Sequence, residues 1–584
     1  MLRSAASSSP IRTPAVTRPS EVVMYMNIEG SRKMIHIHRL GLSRILGGWV
    51  NAGVSSTARS SGPVVRAVTT HLAPGAATNA FASEAPHTGS GTRVVVLGGG
   101  FGGLYAAIRL DQLMWPRGKK PQITLVDQSD RFLFKPLLYE LVSGAATPEE
   151  VAPSLSQLLA PYPMRFVQAQ VTGVHPASAA SHDAVGEAQQ PPPSDAAGYV
   201  ALSDGTSLPY DYLLVALGSQ PDSRGVSGVR EWAVSFNTFE DAMRVKGTLD
   251  LLADSGAGGS VVVVGGGYAG VELAAALGER LRGRAGALTV RLLTPGPDIL
   301  EGSPEGQRAA ANKALADLGV AVVTGVRVEA LGPPDANASL TALPTACTVS
   351  YSSVTAAAGD QNIDAQGPRQ LTADLVIWTA GNSPTTRDAR EGFPFPINAR
   401  GAIETEPSLR VQGSDVVFAL GDVAVAAPAS SASVCDQHPS QTLPATAQVA
   451  FQQADYAAWN IWAAINGRPL LPFRYQHLGS MMSLGQVNAA VALPVELPPP
   501  LTDAVRSSPL GPLLSAAGVR LGGSAGAGGG AGVTLEGPLA ALLRRSAYLY
   551  RQPTNEQRIS VATSWLRMGL EAAAALAGGR GTGR

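Results

Sequence analysis

The sequence predicts an α/β fold, with two nested Rossmann-like dinucleotide-binding domains followed by an amphipathic helical region at the carboxyl end. Three observations predict it. A Gly-x-Gly-x-x-Gly run stands between a strand-like and a helix-like segment at residues 98–103. The same arrangement returns at residues 265–270, and a short apolar strand ends in Gly421-Asp422. The 584 residues exceed one ordinary core and suit several domains.

Composition narrows the chemistry. Forty-four basic and 44 acidic side chains leave a formal net charge of zero, so a strongly basic nucleic-acid binder is excluded. Two cysteines, Cys347 and Cys435, are too few for a disulfide scaffold, a zinc cluster or an iron–sulfur centre, and no metal site is expected. No run of 18 apolar residues escapes Gly-rich turns or charges, so no spanning helix is expected.

Residues 1–91 read as an address. Nine basic residues (eight Arg and Lys33) stand against Glu21, Glu29 and Glu84, with many Ser, Thr and Ala. No apolar period is long enough to build a core. An Arg- and Ser-rich, acid-poor leader is the composition of an organelle transit peptide. Val65-Arg66-Ala67 resembles a plastid processing site.

Order begins at Thr92. Arg93-Val-Val-Val-Leu97 has the β-branched, apolar character of a parallel strand buried on both faces. In the loop that follows, Gly98 permits the tight turn, Gly100 lets backbone approach a pyrophosphate, and Gly103 lets helix and strand pack closely. The next strand, Gln122 to Val126, ends in Asp127, placed to accept both ribose hydroxyls of an adenosine. The first domain is therefore expected over 92–235 and, resumed, over 385–490.

The second cradle uses Gly265, Gly267 and Gly270 after the strand Ser260–Val264, inside an inserted domain expected over 236–384. Its following strand, Leu288 to Leu293, ends in Thr294-Pro295-Gly296, with Asp298 farther along. A carboxylate at the strand end would repel a 2′-phosphate. Its absence there predicts that NADPH is used at least as well as NADH.

Asp415 to Leu420 leads into Gly421 and Asp422, where an acid can hold a flavin's ribityl hydroxyls and the glycine lets backbone approach. Tyr212–Gly218 and Leu375–Gly381 read as the strands where the chain crosses between domains. The helix begun by Ala447-Gln448-Val-Ala450 points its N-terminus toward the flavin, where its dipole favours an anionic reduced ring. Gln448 and Gln452 lie i,i+4 on one face, able to hydrogen-bond a quinone carbonyl.

With these strings in hand, the sequence resembles the type II NAD(P)H:quinone dehydrogenases, single-subunit, non-pumping flavoproteins. The resemblance runs from about Arg93 to Trp565. Besides the cradles it includes Phe134–Leu141, Ala445–Gln453, Gly479–Gly485 and Tyr548–Pro553. It is strongest to the plant and cyanobacterial C-type branch, described as reducing demethylphylloquinone and plastoquinone.

The resemblance implies FAD at the first cradle (Gly98, Gly100, Gly103, Asp127, Lys135, Pro136, Gly421, Asp422, Ala447, Gln448). It implies NAD(P)H at the second (Gly265, Gly267, Gly270, Glu272, Gly381). Gln448 and Gln452 line the quinone site, and Glu272 stands between nicotinamide and flavin. It also implies a membrane prenylquinone as substrate and a homodimer. The location implied is the chloroplast, at the thylakoid or plastoglobule surface, with the mitochondrial inner membrane second.

A prenylquinone stays in the bilayer, so a membrane-seeking element is expected over 535–584. From Ile559 to Ala577 an apolar stripe runs through Ala562, Trp565, Leu566, Gly569, Leu570, Ala573, Leu576 and Ala577. Upstream, Leu539, Leu542 and Leu543 stand beside Arg544 and Arg545, with Tyr548 and Tyr550 following, which suits a helix in the interface.

Four stretches rich in Ala, Gly, Pro and Ser read as disordered loops: Ala177–Gly198, Gly332–Arg369, Val423–Thr442 and Leu493–Gly532. The last makes 491–534 a low-complexity insertion. Both cysteines fall in these stretches.

The competing readings are a flavin disulfide reductase, a reductase of a carrier protein such as ferredoxin, and a non-catalytic nucleotide sensor. The first needs a redox cysteine near the first cradle, and residues 1–346 hold none.

Overall fold

The computed structural model describes residues 23–28, 31–36, 91–177, 196–256, 258–282, 288–334, 345–354, 369–426, 443–496, 504, 505, 507–521 and 532–578. The chain divides into two units, Met1–His87 and Thr88–Arg584. In the first, strands Val23–Ile28 and Ser31–His36 form an antiparallel hairpin with Val23 opposite His36. Apart from Gly91, the rest of the leader, Val65-Arg66-Ala67 included, lies outside the described residues.

The second unit runs β1 (Arg93–Leu97), α1 (Phe101–Gln112), β2 (Gln122–Asp127), α2 (Leu138–Ser143), β3 (Arg165–Gln168), β4 (Tyr212–Val215), β5 (Ala233–Ser235) and β6 (Gly259–Val264). It continues with α3 (Tyr268–Leu281), β7 (Leu288–Leu293), α4 (Glu305–Asp317), β8 (Ala321–Val323), β9 (Leu375–Trp378), β10 (Val417–Ala419) and α5 (Ala447–Ile465). Two five-stranded parallel sheets result, ordered β10-β4-β1-β2-β3 and β5-β9-β6-β7-β8. The Val runs of β1 and β6 become central strands because both faces are covered: Val94–Leu97 and Val261–Val264 are buried.

The two domains share one plan. A three-stranded antiparallel sheet sits between β3 and β4 (Val171–Pro176, Gly198–Leu202, Ser207–Tyr210). A second sits between β8 and β9 (Val326–Gly332, Cys347–Ser353, Arg369–Ala373). The chain crosses between the domains on two short paired strands, Ser219–Pro221 and Asn382–Pro384. These lie directly after the crossing segments read from the sequence. Because β5 pairs with β9, the nested domain starts before the expected boundary at 236.

The loop expectation needs correction at three places. Cys347–Ser353 is the central strand of its sheet, and Cys347 is fully buried. Ala424–Ala426 pairs with Ile403–Thr405. In the 491–534 insertion, Ala489–Glu496, Val519–Leu521 and Gly532–Gly537 join Ser480–Ser483 in an antiparallel sheet, with helix Leu510–Ala516 attached. Averaging composition over a long stretch hides short β-rich runs that acquire two hydrogen-bonded neighbours only on folding. Most other residues of those stretches, including Cys435, lie outside the described residues.

The chain ends in α6 (Pro538–Tyr550) and α7 (Asn555–Gly578). Among the described residues no helix is long and apolar enough to cross a membrane.

Candidate functional site

Each cradle is built the same way. Gly98 and Gly265 carry positive φ values of 101° and 122°, which make the turn off β1 and off β6. A Cβ on Gly103 would overlap the Gly98 carbonyl, and one on Gly270 would overlap the Gly265 carbonyl. Gly100 and Gly267 are the N-caps of α1 and α3, and a Cβ on either would meet nothing within 4 Å. The protein thus leaves an open floor at each helix N-terminus, where unpaired backbone N–H groups face a space that suits a pyrophosphate.

Around the first floor the residues fit a flavin dinucleotide. Asp127 ends β2 and its Oδ2 accepts the Gly99 amide at 2.5 Å, while Oδ1 accepts the Ser129 amide at 2.8 Å. Burial raises its carboxyl above the usual range, and these backbone donors pull it back. Lys135 and Pro136 open the short turn Lys135–Leu137, and Lys135 Nζ donates to Asn237 Oδ1 at 2.6 Å. Gly421 adopts a φ of 74° just past β10, and Asp422 accepts the Ser219 hydroxyl at 2.9 Å. Phe101, Phe132 and Phe134 pack edge-on at the start of α1, with centroids 5.3 to 6.3 Å apart, and Phe451 tilts against Phe101 at 5.1 Å.

Helix α5 begins where the sequence placed it. Thr446 caps it by accepting the Val449 amide at 3.3 Å, and the helix packs along α1. The two glutamines, however, are engaged by the chain itself. Gln448 Oε1 accepts the Tyr475 hydroxyl at 2.6 Å and the Leu478 amide at 3.2 Å, and its Nε2 donates to the Gly479 carbonyl at 3.1 Å. Gln452 Oε1 accepts the Gln476 amide at 2.9 Å, and its Nε2 donates to the Gln476 carbonyl at 2.8 Å. Both hold the segment 475–479 against α5. The next residue does something the sequence did not suggest: Gln453 Oε1 accepts the Gly421 amide at 2.7 Å, fixing the Gly-Asp turn to α5. Ala447 opens the first turn of that helix.

Glu272 lies in the second turn of α3 and is buried. Its Oε1 accepts the Ser483 amide at 2.7 Å. Burial pushes its carboxyl up to about 7, against the pull of that amide and of Arg544. Gly381, past β9, has a φ of 136° and carries the Arg224 guanidinium where a Cβ would stand. Arg224 Nε donates to the Ala380 carbonyl at 3.2 Å.

A buried ion pair completes this region. Arg544 of α6 is fully buried and bonds Glu140 of α2, itself 3% exposed. Arg545 Nη2 stands 3.8 Å from the other Glu140 oxygen. The Arg544 guanidinium also covers the Tyr548 ring at 5.1 Å. This corrects the placing of Arg544 at a membrane interface. The periodicity carried the signal: Ala540, Ala541, Arg544 and Tyr548 share the buried face of α6.

The exposed apolar face of the same helix carries Leu539, Leu542, Leu543 and Tyr550, joined by Ile559 and Leu566 of α7. Trp565 is only half-exposed and packs on the core, so the stripe is shared between two helices. The side chains of Gly569, Leu570, Ala573, Leu576 and Ala577 lie outside the described residues.

Cys347 is the free cysteine among the described residues, and burial pushes its thiol up to about 11. Such a thiol is not the activated thiolate a disulfide reductase requires. Among the described residues no cluster of His, Cys, Asp and Glu could hold a metal ion.

Known proteins resemble this chain in sequence and in fold. The pyridine nucleotide-disulphide oxidoreductase family matches residues 92–454. An Arabidopsis thaliana protein, alternative NAD(P)H-ubiquinone oxidoreductase C1, chloroplastic/mitochondrial, is 39% identical over 81% of this chain and 80% of its own length. Demethylphylloquinone reductase NdbB of Synechocystis is 38% identical over 81% of this chain and 95% of its own length. Among solved structures, NDH2 of Plasmodium falciparum in complex with NADH superposes with a TM-score of 0.59 at 16% identity, over 82% of this chain and 98% of that one, a likeness of fold.

Proposed function

This chain belongs to the pyridine nucleotide-disulphide oxidoreductase family and, within it, to the type II NAD(P)H:quinone oxidoreductases, and from that premise we propose how its own residues perform the reaction. It is a quinone-reducing flavoenzyme that uses NAD(P)H. The flavin we assign to the first cradle is FAD, and NAD(P)H we assign to the second. The observation that carries the assignment is the pair of open floors at Gly100 and Gly267, each bordered by a glycine whose Cβ would overlap backbone.

A bound flavin would supply the redox chemistry between nicotinamide and quinone. The chain's part is position and proton supply. Gly98, Gly100, Gly103 and Asp127 would hold the adenosine pyrophosphate half. Gly421, Asp422, Lys135 and Pro136 border the ribityl and ring end, with Gln453 fixing the turn. Gly265, Gly267, Gly270 and Gly381 would hold the nicotinamide nucleotide. Glu272 keeps a proton near pH 7 on Oε2, the oxygen not taken by the Ser483 amide. Gln448 and Gln452 shape the quinone site by fixing the segment 475–479.

The substrate we propose is a prenylquinone of the plastoquinone or demethylphylloquinone type, met at an organelle membrane, the plastid first. The exposed leucines of α6 and α7 support that membrane contact. Anaerobic titration tests the whole reading. Purified protein should be yellow, bleach on addition of NAD(P)H, and recolour with a short-tail naphthoquinone. Protein that folds yet cannot be loaded with FAD, or that reduces ferredoxin and no quinone, would overturn it.

A further inference from the structure

We propose that Glu301 supplies the acid that the end of β7 lacks, so that the second cradle prefers a dinucleotide with a free 2′-hydroxyl, NADH, to one with a 2′-phosphate. The inference rests on reading that cradle as the NAD(P)H site.

The two cradles provide an internal comparison. In the first, the strand after the loop ends in Asp127, which bonds the Gly99 amide. In the second, Thr294 takes the corresponding place: a Cβ on Gly266 would lie 2.5 Å from its Oγ1. Taken along the sequence, no carboxylate stands there, which is why the sequence predicts NADPH to be used at least as well as NADH.

Folding changes that. After Thr294 the chain turns back over the cradle, and the Leu300 amide donates to the Gly266 carbonyl at 2.7 Å. Leu300 is 2% exposed and left-handed, with a φ of 54°, a state a leucine adopts only when its surroundings impose it. That turn buries Leu300 and sends the next side chain, Glu301, outward. The Glu301 carboxylate lies against Gly296, in the space a Cβ would fill, two residues past Thr294. Asp298, the acid closer in sequence, is engaged inward: its Oδ1 accepts the Ile299 amide at 2.7 Å and Asn312 Nδ2 at 3.0 Å.

The exposed carboxylate beside the strand end is therefore Glu301. It can accept a ribose hydroxyl, and it repels a phosphate carrying close to two negative charges. The strained Leu300 turn is the device that delivers it.

Calorimetric titration of the flavin-loaded protein with ADP-ribose and with 2′-phospho-ADP-ribose reads this without turnover. The parent protein should bind ADP-ribose about tenfold tighter, the scale of one close like-charge encounter at an exposed site. Glu301→Gln should bring the two affinities within about twofold of each other and move the NADH to NADPH ratio of kcat/KM the same way. Glu301→Asp, which keeps the charge on a shorter arm, should retain part of the preference. Flavin content and Tm report that each variant is folded. Equal binding by the parent protein, or an unchanged ratio in Glu301→Gln, overturns the inference and leaves the cradle assignment standing. Failure of both nucleotides to bind overturns the cradle assignment and the inference together.

Discussion

A buried carboxyl and a buried ion pair decide how this protein responds to pH and to substitution. Glu272 has its carboxyl raised to about 7 by burial, from 4.5. A carboxyl with a higher pKa folded than unfolded favours the folded state while it is protonated. That contribution is whole below the unfolded pKa and is lost as pH rises through about 7. Glu272→Gln, which stays neutral, should therefore gain Tm relative to the parent protein between about pH 5 and pH 8, by a few degrees. The same variant should lose the limb near pH 7 in the kcat profile for quinone reduction. A profile that keeps this limb would remove Glu272 from the proton's path. Arg544 gives a second prediction. Arg544→Met leaves Glu140 charged and buried, with Arg545 only at 3.8 Å, and should destabilise by about 3–5 kcal/mol in urea titration. Glu140→Gln combined with Arg544→Met should recover most of that loss.

At the scale of the element, the three glycines of a cradle separate into two kinds. Gly103→Ala drives a Cβ into the Gly98 carbonyl, so α1 must move off β1. It should lower Tm and flavin content together. Gly100→Ala places its Cβ in open space, so the apoprotein should keep its Tm while flavin content falls severalfold. In the second cradle, Gly267→Ala should leave the protein yellow and raise the KM for NAD(P)H. Helix α5 yields a different split. Gln448→Leu frees the segment 475–479 and should raise the quinone KM severalfold, while bleaching of the flavin by NAD(P)H in stopped flow stays unchanged. Loss of bleaching would place Gln448 on the flavin instead of the quinone side.

At the scale of the molecule, α6 joins two tasks. One face carries Arg544 and Tyr548 into the buried cluster beside Glu272, and the other exposes Leu539, Leu542 and Leu543. In a membrane-bound α6 the exposed leucines and the buried Arg544–Tyr548 face would lie one helix diameter apart, about 10 Å. Leu539→Glu, Leu542→Glu and Leu566→Glu together should release the protein from anionic vesicles in a sedimentation assay. Activity with a short-tail, water-soluble quinone should survive, because the buried face is untouched. Co-sedimentation of the triple variant would move the membrane contact elsewhere.

The sequence alone determined the two parallel sheets and their cradles. Strand, glycine loop and helix are adjacent in the chain, so local spacing carries the physics: a Val run needs both faces covered, and a third glycine needs close backbone contact. It also placed Glu272, Asp127 and the start of α5, each within one turn of a legible motif. Tertiary structure alone decided which partners those residues meet. Gln448 and Gln452 meet the segment 475–479, Gln453 meets Gly421, and Glu140 meets Arg544 across 404 positions. Cys347–Ser353 became a strand, and Glu301 came to Gly296, for the same reason. Contacts between distant segments depend on how the sheets twist and where loops return, and no local pattern of side chains records that.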